Sequence, residues 1–192
     1  MLVDRDGVIA AALRGEVVSF PTDTVPALAA LPERANAIYQ LKQRPSHKPL
    51  ILMGATVESL KPYIAGWESA WQAEIERAWP GPLTLVLPVN PEASVETMIS
   101  EGKTLGIRIP ASTLALDVLR RTGPLATTSA NESGQAPLTN PAAIADRFPT
   151  VAVLDAASPQ IGLPSTVALW RGDLQNWEIL RQGHYRLSVS PF

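Results

Sequence analysis

One nearly continuous apolar run, Leu83-Thr84-Leu85-Val86-Leu87, does most to limit what this chain can fold into. A strand with one face in water alternates apolar and polar residues, whereas an unbroken apolar strand is typical of a sheet covered on both faces. Leu105-Gly106-Ile107-Arg108-Ile109 is a second run of this kind. We therefore expect helices on both sides of the sheet that contains these strands.

Further helices and strands follow from the spacing of apolar residues. Apolar periodicity and capping residues predict helices over residues 5–14, 33–43, 56–63, 67–79 and 112–122, and from Asn140-Pro141. Short strands are predicted at residues 16–20, 49–53, 125–128, 151–154, 166–170 and 177–180. The late strands come without helices between them, which favours a mixed sheet. The predicted fold is a single α/β domain over residues 1–192, with a twisted mixed sheet, and a regular doubly wound fold is the alternative.

Composition excludes several classes of site. The 192 residues include no Cys, which excludes a disulfide scaffold and a thiolate metal site. His47 and His184 are too few for a His-rich zinc site, so any metal should be an oxygen-bound ion. A net charge of −2 gives no broad attraction to nucleic acid or to anionic membranes.

No part of the sequence predicts a membrane location. No apolar run approaches the ~20 residues of a membrane helix. The first residues, Met1-Leu2-Val3-Asp4-Arg5-Asp6, are acidic where a signal peptide would be basic. We therefore expect a cytoplasmic protein with no membrane partner.

A basic segment, Lys42-Gln43-Arg44-Pro45-Ser46-His47-Lys48-Pro49, follows the second predicted helix. Its cations could complement the helix dipole on a solvated face. The two prolines stiffen the segment, which suits cations that are held against phosphate groups. Both interpretations stay open at this point.

A polar segment, residues 127–134, follows a predicted strand with the sequence TTSANESG. Ser, Asn and Gly satisfy backbone groups locally, so a turn or a helix cap is one interpretation. The other is a ligand-binding loop at the carboxyl end of a strand.

Two charged residues also have competing interpretations. Arg108 lies inside an otherwise apolar strand, where an arginine is costly unless it is paired. It is either a structural ion pair or a carboxylate binder that faces a cleft. Asp23, between Thr22 and Thr24, is a metal ligand, a base or a turn residue.

Seven short segments are distinctive for their order along the chain. They are Pro21-Thr22-Asp23-Thr24-Val25; Lys42-Gln43-Arg44-Pro45 with Lys48-Pro49-Leu50-Ile51; Trp79-Pro80-Gly81-Pro82-Leu83-Thr84; Gly106-Ile107-Arg108-Ile109-Pro110; Ser129-Ala130-Asn131-x-Ser133-Gly134; Pro164-Ser165-Thr166-Val167; and Ile179-Leu180-Arg181-Gln182-Gly183. In this order they resemble the YrdC-like family, the threonylcarbamoyl-adenylate synthases. Many of the chain's 18 prolines lie in or beside these segments, where they would fix loop geometry around a pocket.

The resemblance implies a YrdC-like fold with a ligand cleft and a specific reaction. That reaction condenses L-threonine, bicarbonate and ATP to threonylcarbamoyl-adenylate and pyrophosphate, which makes the enzyme a nucleotidyltransferase. The product serves the N6-threonylcarbamoyladenosine modification of tRNA, so tRNA and the threonylcarbamoyl-transferase proteins downstream are the implied partners. Mg²⁺ is the implied cofactor, bound mainly through the ATP phosphates.

The resemblance also assigns roles to residues. Lys42, Arg44, Ser129 and Asn131 match the family's catalytic signature. The implied ATP-binding residues are Arg44, Lys48, Thr104, Ser129, Asn131 and Arg181. The implied threonine-binding residues are Thr24, Arg108, Thr127 and Ser165.

The chain departs from the family pattern beside one of these segments. Pro26-Ala27-Leu28-Ala29 stands where the family usually has Tyr-Gly-Leu-Gly, and Met53 and Pro137 replace polar residues found in many or some members. An enzyme of the same fold with another amino acid or carbamoyl acceptor is therefore one alternative. A non-catalytic RNA-binding or ribosome-maturation protein of the same fold is the other.

Overall fold

The strands of the described chain belong to one mixed sheet. The structure, a computed structural model, describes residues 1–95, 98–99, 103–132, 134–157 and 163–187. The strands are β1 (Leu2–Val3), β2 (Val18–Phe20), β3 (Ala27–Ala30), β4 (Ile51–Met53), β5 (Leu83–Pro88), β6 (Thr104–Arg108), β7 (Leu125–Ser129), β8 (Ala152–Leu154), β9 (Thr166–Arg171) and β10 (Asn176–Arg181). Their order in the sheet is β1-β8-β2-β3-β7-β4-β6-β5-β9-β10. Pairs β1–β8, β2–β8, β4–β6 and β5–β9 are parallel and the rest are antiparallel, which confirms the mixed sheet.

The described residues form six α-helices, three of which begin at capping residues predicted from the sequence. They are α1 (Arg5–Leu13), α2 (Ala35–Lys42), α3 (Val57–Leu60), α4 (Ser69–Ala78), α5 (Thr113–Thr122) and α6 (Pro141–Arg147). The side chains of Thr56, Ser112 and Asn140 accept hydrogen bonds from first-turn N–H groups of α3, α5 and α6. Such caps satisfy donors that the helix itself leaves unpaired. None of the described helices is long and apolar enough to cross a membrane.

Helices pack on both faces of the sheet, as expected. Successive side chains of a strand point to opposite faces, so the two clusters on β3 separate the faces. Leu28 packs with α6, whereas Ala27 and Ala29 pack with α1 and α5. The face of Leu28 continues under α2, α3 and α4, where Trp71 and the apolar side chains of β5 and β6 form the largest core.

The second face is covered over only part of the sheet. The α1 and α5 helices pack against β2, β3 and β8, but Thr84 and Val86 of β5 line a cavity together with Val167 and Leu169 of β9. On this side the helices therefore leave part of the Leu83–Leu87 run to line a cavity. Burial in a cavity wall produces the same apolar pattern as burial under a helix.

Strand β3 was not predicted, because alanine is a poor strand former. Its residues pair with β2 on one side and with β7 on the other, and all four are buried. The sequence Ala27-Leu28-Ala29 is therefore central to the sheet.

One residue of the seven segments, Ser133, lies outside the described residues. The limits of the domain, 1–192, stay a prediction.

The chain returns very close to β9 after β10. A Cβ added at Gly183 would lie 2.2 Å from the carbonyl oxygen of Pro164 and 2.4 Å from the carbonyl carbon of Ser165. Real Cβ atoms do not approach backbone this closely, so a side chain here must displace the Pro164–Thr166 backbone. At Gly172, by contrast, the nearest atom to an added Cβ is 3.7 Å away, in the Trp170 ring.

We expect Gly183→Ala to destabilise the fold by about 1–3 kcal/mol or more, because overpacking against backbone cannot relax through side-chain rotation. Gly172→Ala is the matched control and should change the free energy of unfolding by less than about 0.5 kcal/mol. Urea denaturation of both variants measures the difference. Equal midpoints for the two variants would contradict the close approach.

Candidate functional site

A cavity of about 320 Å³ is lined by residues of β3, β4, β6, β7 and β10 and of the loops beside the strands. Eight of the eleven residues that the sequence assigned to the site line it: Thr24, Arg44, Arg108, Thr127, Ser129, Asn131, Ser165 and Arg181. They come from loops and strand ends that are far apart in the sequence. The polar segment, residues 127–134, therefore contributes to a cavity wall from the end of β7 and the turn that follows it.

Three of the assigned residues lie elsewhere. Lys42 lies behind the cavity wall, 5% exposed, with its ammonium group against the Ser129–Asn131 turn. Lys48 is exposed and is not part of the wall. Thr104 lines a second cavity of about 530 Å³, which shares Arg44 and Arg181 with the first.

Arg108 is held on each of its side-chain nitrogens. At 2% exposure, its Nε donates to the Gly81 carbonyl at 3.0 Å and its Nη1 to Thr24 Oγ1 at 3.0 Å. Its Nη2 donates to Asp23 Oδ1 at 2.7 Å. Burial lowers the pKa of Arg108, and the charge of Asp23 opposes that shift. Arg108 is thus both a member of a buried ion pair and part of the cavity wall, and its binding of a carboxylate stays a prediction.

Asp23 lies in the bend between β2 and β3. Its contact is the ion pair with Arg108, which none of the three sequence interpretations included. The described residues hold no group of three or more His, Cys, Asp or Glu side chains that could bind a metal. Local sequence patterns could not reveal this ion pair, because its two residues are 85 positions apart along the chain.

Lys42 donates its hydrogen bonds to the end of β7 and to the turn that follows it. Its Nζ donates to the Ser129 carbonyl at 2.6 Å, to Asn131 Oδ1 at 3.0 Å and to Thr128 Oγ1 at 3.4 Å. An ammonium group has three donors, so all of them have protein acceptors. Burial lowers the pKa of Lys42 to about 7, and the charge of Arg44 acts in the same direction.

The Ser129–Asn131 turn is tied together from several sides. Ser129 Oγ donates to Asn131 Oδ1 at 2.6 Å, and Asn131 Nδ2 donates to the Gln135 carbonyl. The Ala130 N–H donates to the Pro26 carbonyl at 2.8 Å. The backbone of the turn is therefore fixed relative to both α2 and β3.

Arg44 folds the basic segment back on itself. Its Nε donates to the Lys48 carbonyl at 3.1 Å and its Nη2 to the Pro49 carbonyl at 3.0 Å. Tyr39 Oη donates to the same Lys48 carbonyl at 3.1 Å. Burial lowers the pKa of Arg44. The segment is thus a folded loop that carries one cation to both cavities, which favours the interpretation as a ligand site over the solvated face.

Ser165 and Arg181 form a third part of the wall. Arg181 donates from Nε and Nη2 to the Ser165 carbonyl, at 3.2 and 2.9 Å, and from Nη2 to Ser165 Oγ at 3.3 Å. Ser165 Oγ is also 2.9 Å from Thr84 Oγ1, a hydroxyl buried inside β5. Thr84 was not among the predicted site residues. Its hydroxyl within an otherwise apolar strand could have indicated a polar contact there.

The described wall of the cavity carries positive charge. Arg44, Arg108 and Arg181 line it, and no acidic side chain is among the described residues of its wall. Hydroxyl and amide groups from Thr24, Thr127, Ser129 and Asn131 supply the hydrogen bonds that fix orientation. Pro26, Ala27 and Met53, from the segments that depart from the family pattern, form an apolar part of the same wall. Guanidinium groups beside hydroxyls suit carboxylate and phosphate groups.

The sequence and fold have known relatives. The Sua5/YciO/YrdC family model, described as "Telomere recombination", matches residues 10–183. The threonylcarbamoyl-AMP synthase of Bacillus subtilis is 36% identical over 172 residues, which cover 86% of this chain and 50% of that protein. The synthase of Chromohalobacter salexigens is 32% identical over 179 residues, covering 91% of this chain and 94% of that protein. The chain therefore spans half of one relative and nearly all of the other.

The fold is also similar to a solved structure. The crystal structure of Pyrococcus abyssi Sua5 complexed with L-threonine matches with a TM-score of 0.83 and 28% sequence identity. The match covers 95% of this chain and 57% of that one. The predicted fold class and the resemblance drawn from the seven segments are confirmed, and the chain belongs to the Sua5/YciO/YrdC family.

Proposed function

We propose that this protein is a threonylcarbamoyl-AMP synthase, which condenses L-threonine, bicarbonate and ATP to threonylcarbamoyl-AMP and pyrophosphate. The observation that carries the proposal is the single cavity in which three guanidinium groups and several hydroxyls meet without a carboxylate in the described wall. The naming of its relatives as threonylcarbamoyl-AMP synthases supports the same activity. The product would pass to the proteins that modify tRNA.

The reaction needs charge compensation and orientation more than a protein nucleophile. Bicarbonate and the threonine amine form N-carboxythreonine with the loss of one water molecule, and its carbamate oxygen attacks the α-phosphorus of ATP. The new P–O bond replaces the bond to pyrophosphate, which leaves. Holding both substrates in one cavity and offsetting phosphate charge lowers the barrier to such a step.

The residues of the wall divide between the two substrates. Arg108 and Thr24 would hold the threonine carboxylate, with Thr127 and Ser165 beside them. Arg44, Ser129, Asn131 and Arg181 would hold the nucleotide. Thr104, in the adjoining cavity, and Lys48, at the surface, would contact ATP only at its outer parts. Lys42 would act through the turn it fixes, because its three donors already have protein acceptors.

Mg²⁺ fits this wall as an ion carried by ATP. Hydroxyl and amide oxygens are its described oxygen donors, without the carboxylates that a protein-held ion prefers. Thr127 and Ser129 could complete the coordination of an ion that phosphate oxygens and water mainly hold. Bound there, Mg²⁺ would offset the charge of the phosphate groups.

Incubation with ATP, Mg²⁺, bicarbonate and a panel of amino acids tests the activity. We expect pyrophosphate release that depends on both threonine and bicarbonate. Release with another amino acid would indicate a different substrate, to which Pro26, Ala27 and Met53 in the wall would contribute. No release with any amino acid, together with tight and salt-sensitive RNA binding, would support the non-catalytic alternative instead.

Arg44→Ala should lower kcat for pyrophosphate release by about a hundredfold or more, because it removes a preorganised cation from the phosphate site. The fold should persist, since Arg44 bonds only to carbonyls of its own loop. Arg120→Ala, an exposed position on α5, is the matched control. Rates equal to the control would remove Arg44 from the mechanism.

The pKa of Lys42 can be measured directly. The chain has only four lysines, Lys42, Lys48, Lys61 and Lys103, so ¹³Cε resonances of labelled lysine are easily assigned by single substitutions. We expect the Lys42 resonance to titrate near pH 7. A midpoint near the ordinary value of 10.5 would show that the three oxygen acceptors outweigh burial.

The lowered pKa of Lys42 has a consequence for stability. Between pH 7 and 10.5 the unfolded chain binds more protons at this position than the folded chain, so the free energy of unfolding rises with pH. We therefore expect the free energy of unfolding of wild type, minus that of Lys42→Met, to become more positive from pH 7 to pH 9. Urea denaturation at several pH values measures it, and a constant difference would contradict the shift.

A further inference from the structure

Asp23 is the buried acid beside the cavity, and the proposed reaction has not so far used it. Asp23 lies in the loop between β2 and β3, and the residue is 7% exposed. Oδ1 accepts from Arg108 at 2.7 Å, whereas Oδ2 is buried without a hydrogen-bond partner. A carboxylate oxygen left unpaired in the interior is costly. The ion pair with Arg108 therefore has to offset that cost.

The contacts of Arg108 leave a defined part of the guanidinium group for a ligand. Gly81, Thr24 and Asp23 each take one hydrogen bond, from Nε, Nη1 and Nη2 respectively. Each Nη carries a second N–H, so two of the five N–H donors of the guanidinium group remain. Arg108 is part of the cavity wall, and a carboxylate is the group that such a fork binds in two places. Asp23 is the one charged contact among the three that set the angle of this fork.

The balance of charge points to the same role. Arg108 and Arg181 are close enough that the charge of Arg181 lowers the pKa of Arg108, while Asp23 raises it. Asp23 therefore offsets part of the positive charge that Arg108 and Arg181 bring to this side of the cavity. Without Asp23, Arg108 would be a buried cation with only neutral partners, and it would be free to turn toward other oxygens.

We propose that Asp23 is a positioning residue, which aims Arg108 at the carboxylate of the amino acid substrate. This inference rests on the proposed function and extends it, because Asp23 touches neither the cavity nor the reacting atoms. A merely structural ion pair would stabilise the fold without favouring one substrate. A positioning residue must instead change the binding of the amino acid more than the binding of ATP.

Steady-state kinetics of Asp23→Asn separates these roles. We expect KM for threonine to rise by about tenfold or more, since a misplaced guanidinium loses most of its directed binding. KM for ATP should stay within about twofold of wild type. Asp6→Asn, which removes the surface ion pair between Asp6 and Arg121, is the matched control and should change neither constant. An unchanged KM for threonine, or an equal rise in both constants, would overturn the inference.

A double-mutant cycle tests whether Asp23 acts through Arg108. In an Arg108→Lys background there is no fork to aim, so Asp23→Asn should raise KM for threonine much less than it does in wild type. Equal effects in the two backgrounds would overturn the inference. If Asp23→Asn does not fold, Asp23→Glu keeps the charge and displaces the fork by one methylene. It should then raise KM for threonine selectively, and wild-type kinetics for this variant would count against the proposal.

The same assays distinguish this inference from the proposed function. Wild-type protein that releases no pyrophosphate in response to threonine would overturn the function and, with it, the role of Asp23. Wild-type protein that is active, with an Asp23→Asn variant whose KM for threonine is normal, would overturn the role of Asp23 alone.

Discussion

The site depends first on the burial of one cation, Arg108. A guanidinium group at 2% exposure must have partners for its hydrogen bonds and its charge. The partners come from the loop after β2 and from the loop before β5, so the pairing fixes both loops to the end of β6. The cavity lies between these fixed pieces. Its shape is therefore a consequence of satisfying an arginine that an apolar strand carries into the interior.

Proline supplies the second constraint on the same cavity. Pro26, Pro49, Pro137 and Pro164 all line it; the first, second and fourth lie just before β3, β4 and β9, and Pro137 lies in the loop between β7 and α6. A proline fixes φ and removes a donor, so such a loop loses few conformations on folding and does not extend the sheet across the cavity. The high proline content of the sequence thus has a structural explanation at the site itself. Rigid loops suit a cavity that must hold two substrates in register.

Local features of the fold could be predicted from the sequence, and contacts between distant residues could not. Apolar spacing and caps such as Thr56 and Asn140 located the helices, because these signals act within a few residues. Strand β3 was missed, because its alanines are buried by neighbouring strands that local propensity does not describe. The family resemblance, drawn from the order of the seven segments, predicted eight residues that line the cavity. The pairing of Asp23 with Arg108 and the inward position of Lys42 needed the three-dimensional structure.

The cations of the site are too few for its proposed substrates, and this has a chemical implication. The ammonium group of Lys42 donates its hydrogen bonds to residues 128–131, and the charge of Arg108 is offset in part by Asp23. Arg44 and Arg181 are hydrogen-bonded to neutral carbonyl and hydroxyl groups. They are therefore the cations in the described wall whose charge can offset phosphate. ATP and N-carboxythreonine together bring more negative charge than two guanidinium groups offset. The remainder has to arrive with the substrate, which is the physical reason for proposing that Mg²⁺ enters on the phosphates of ATP.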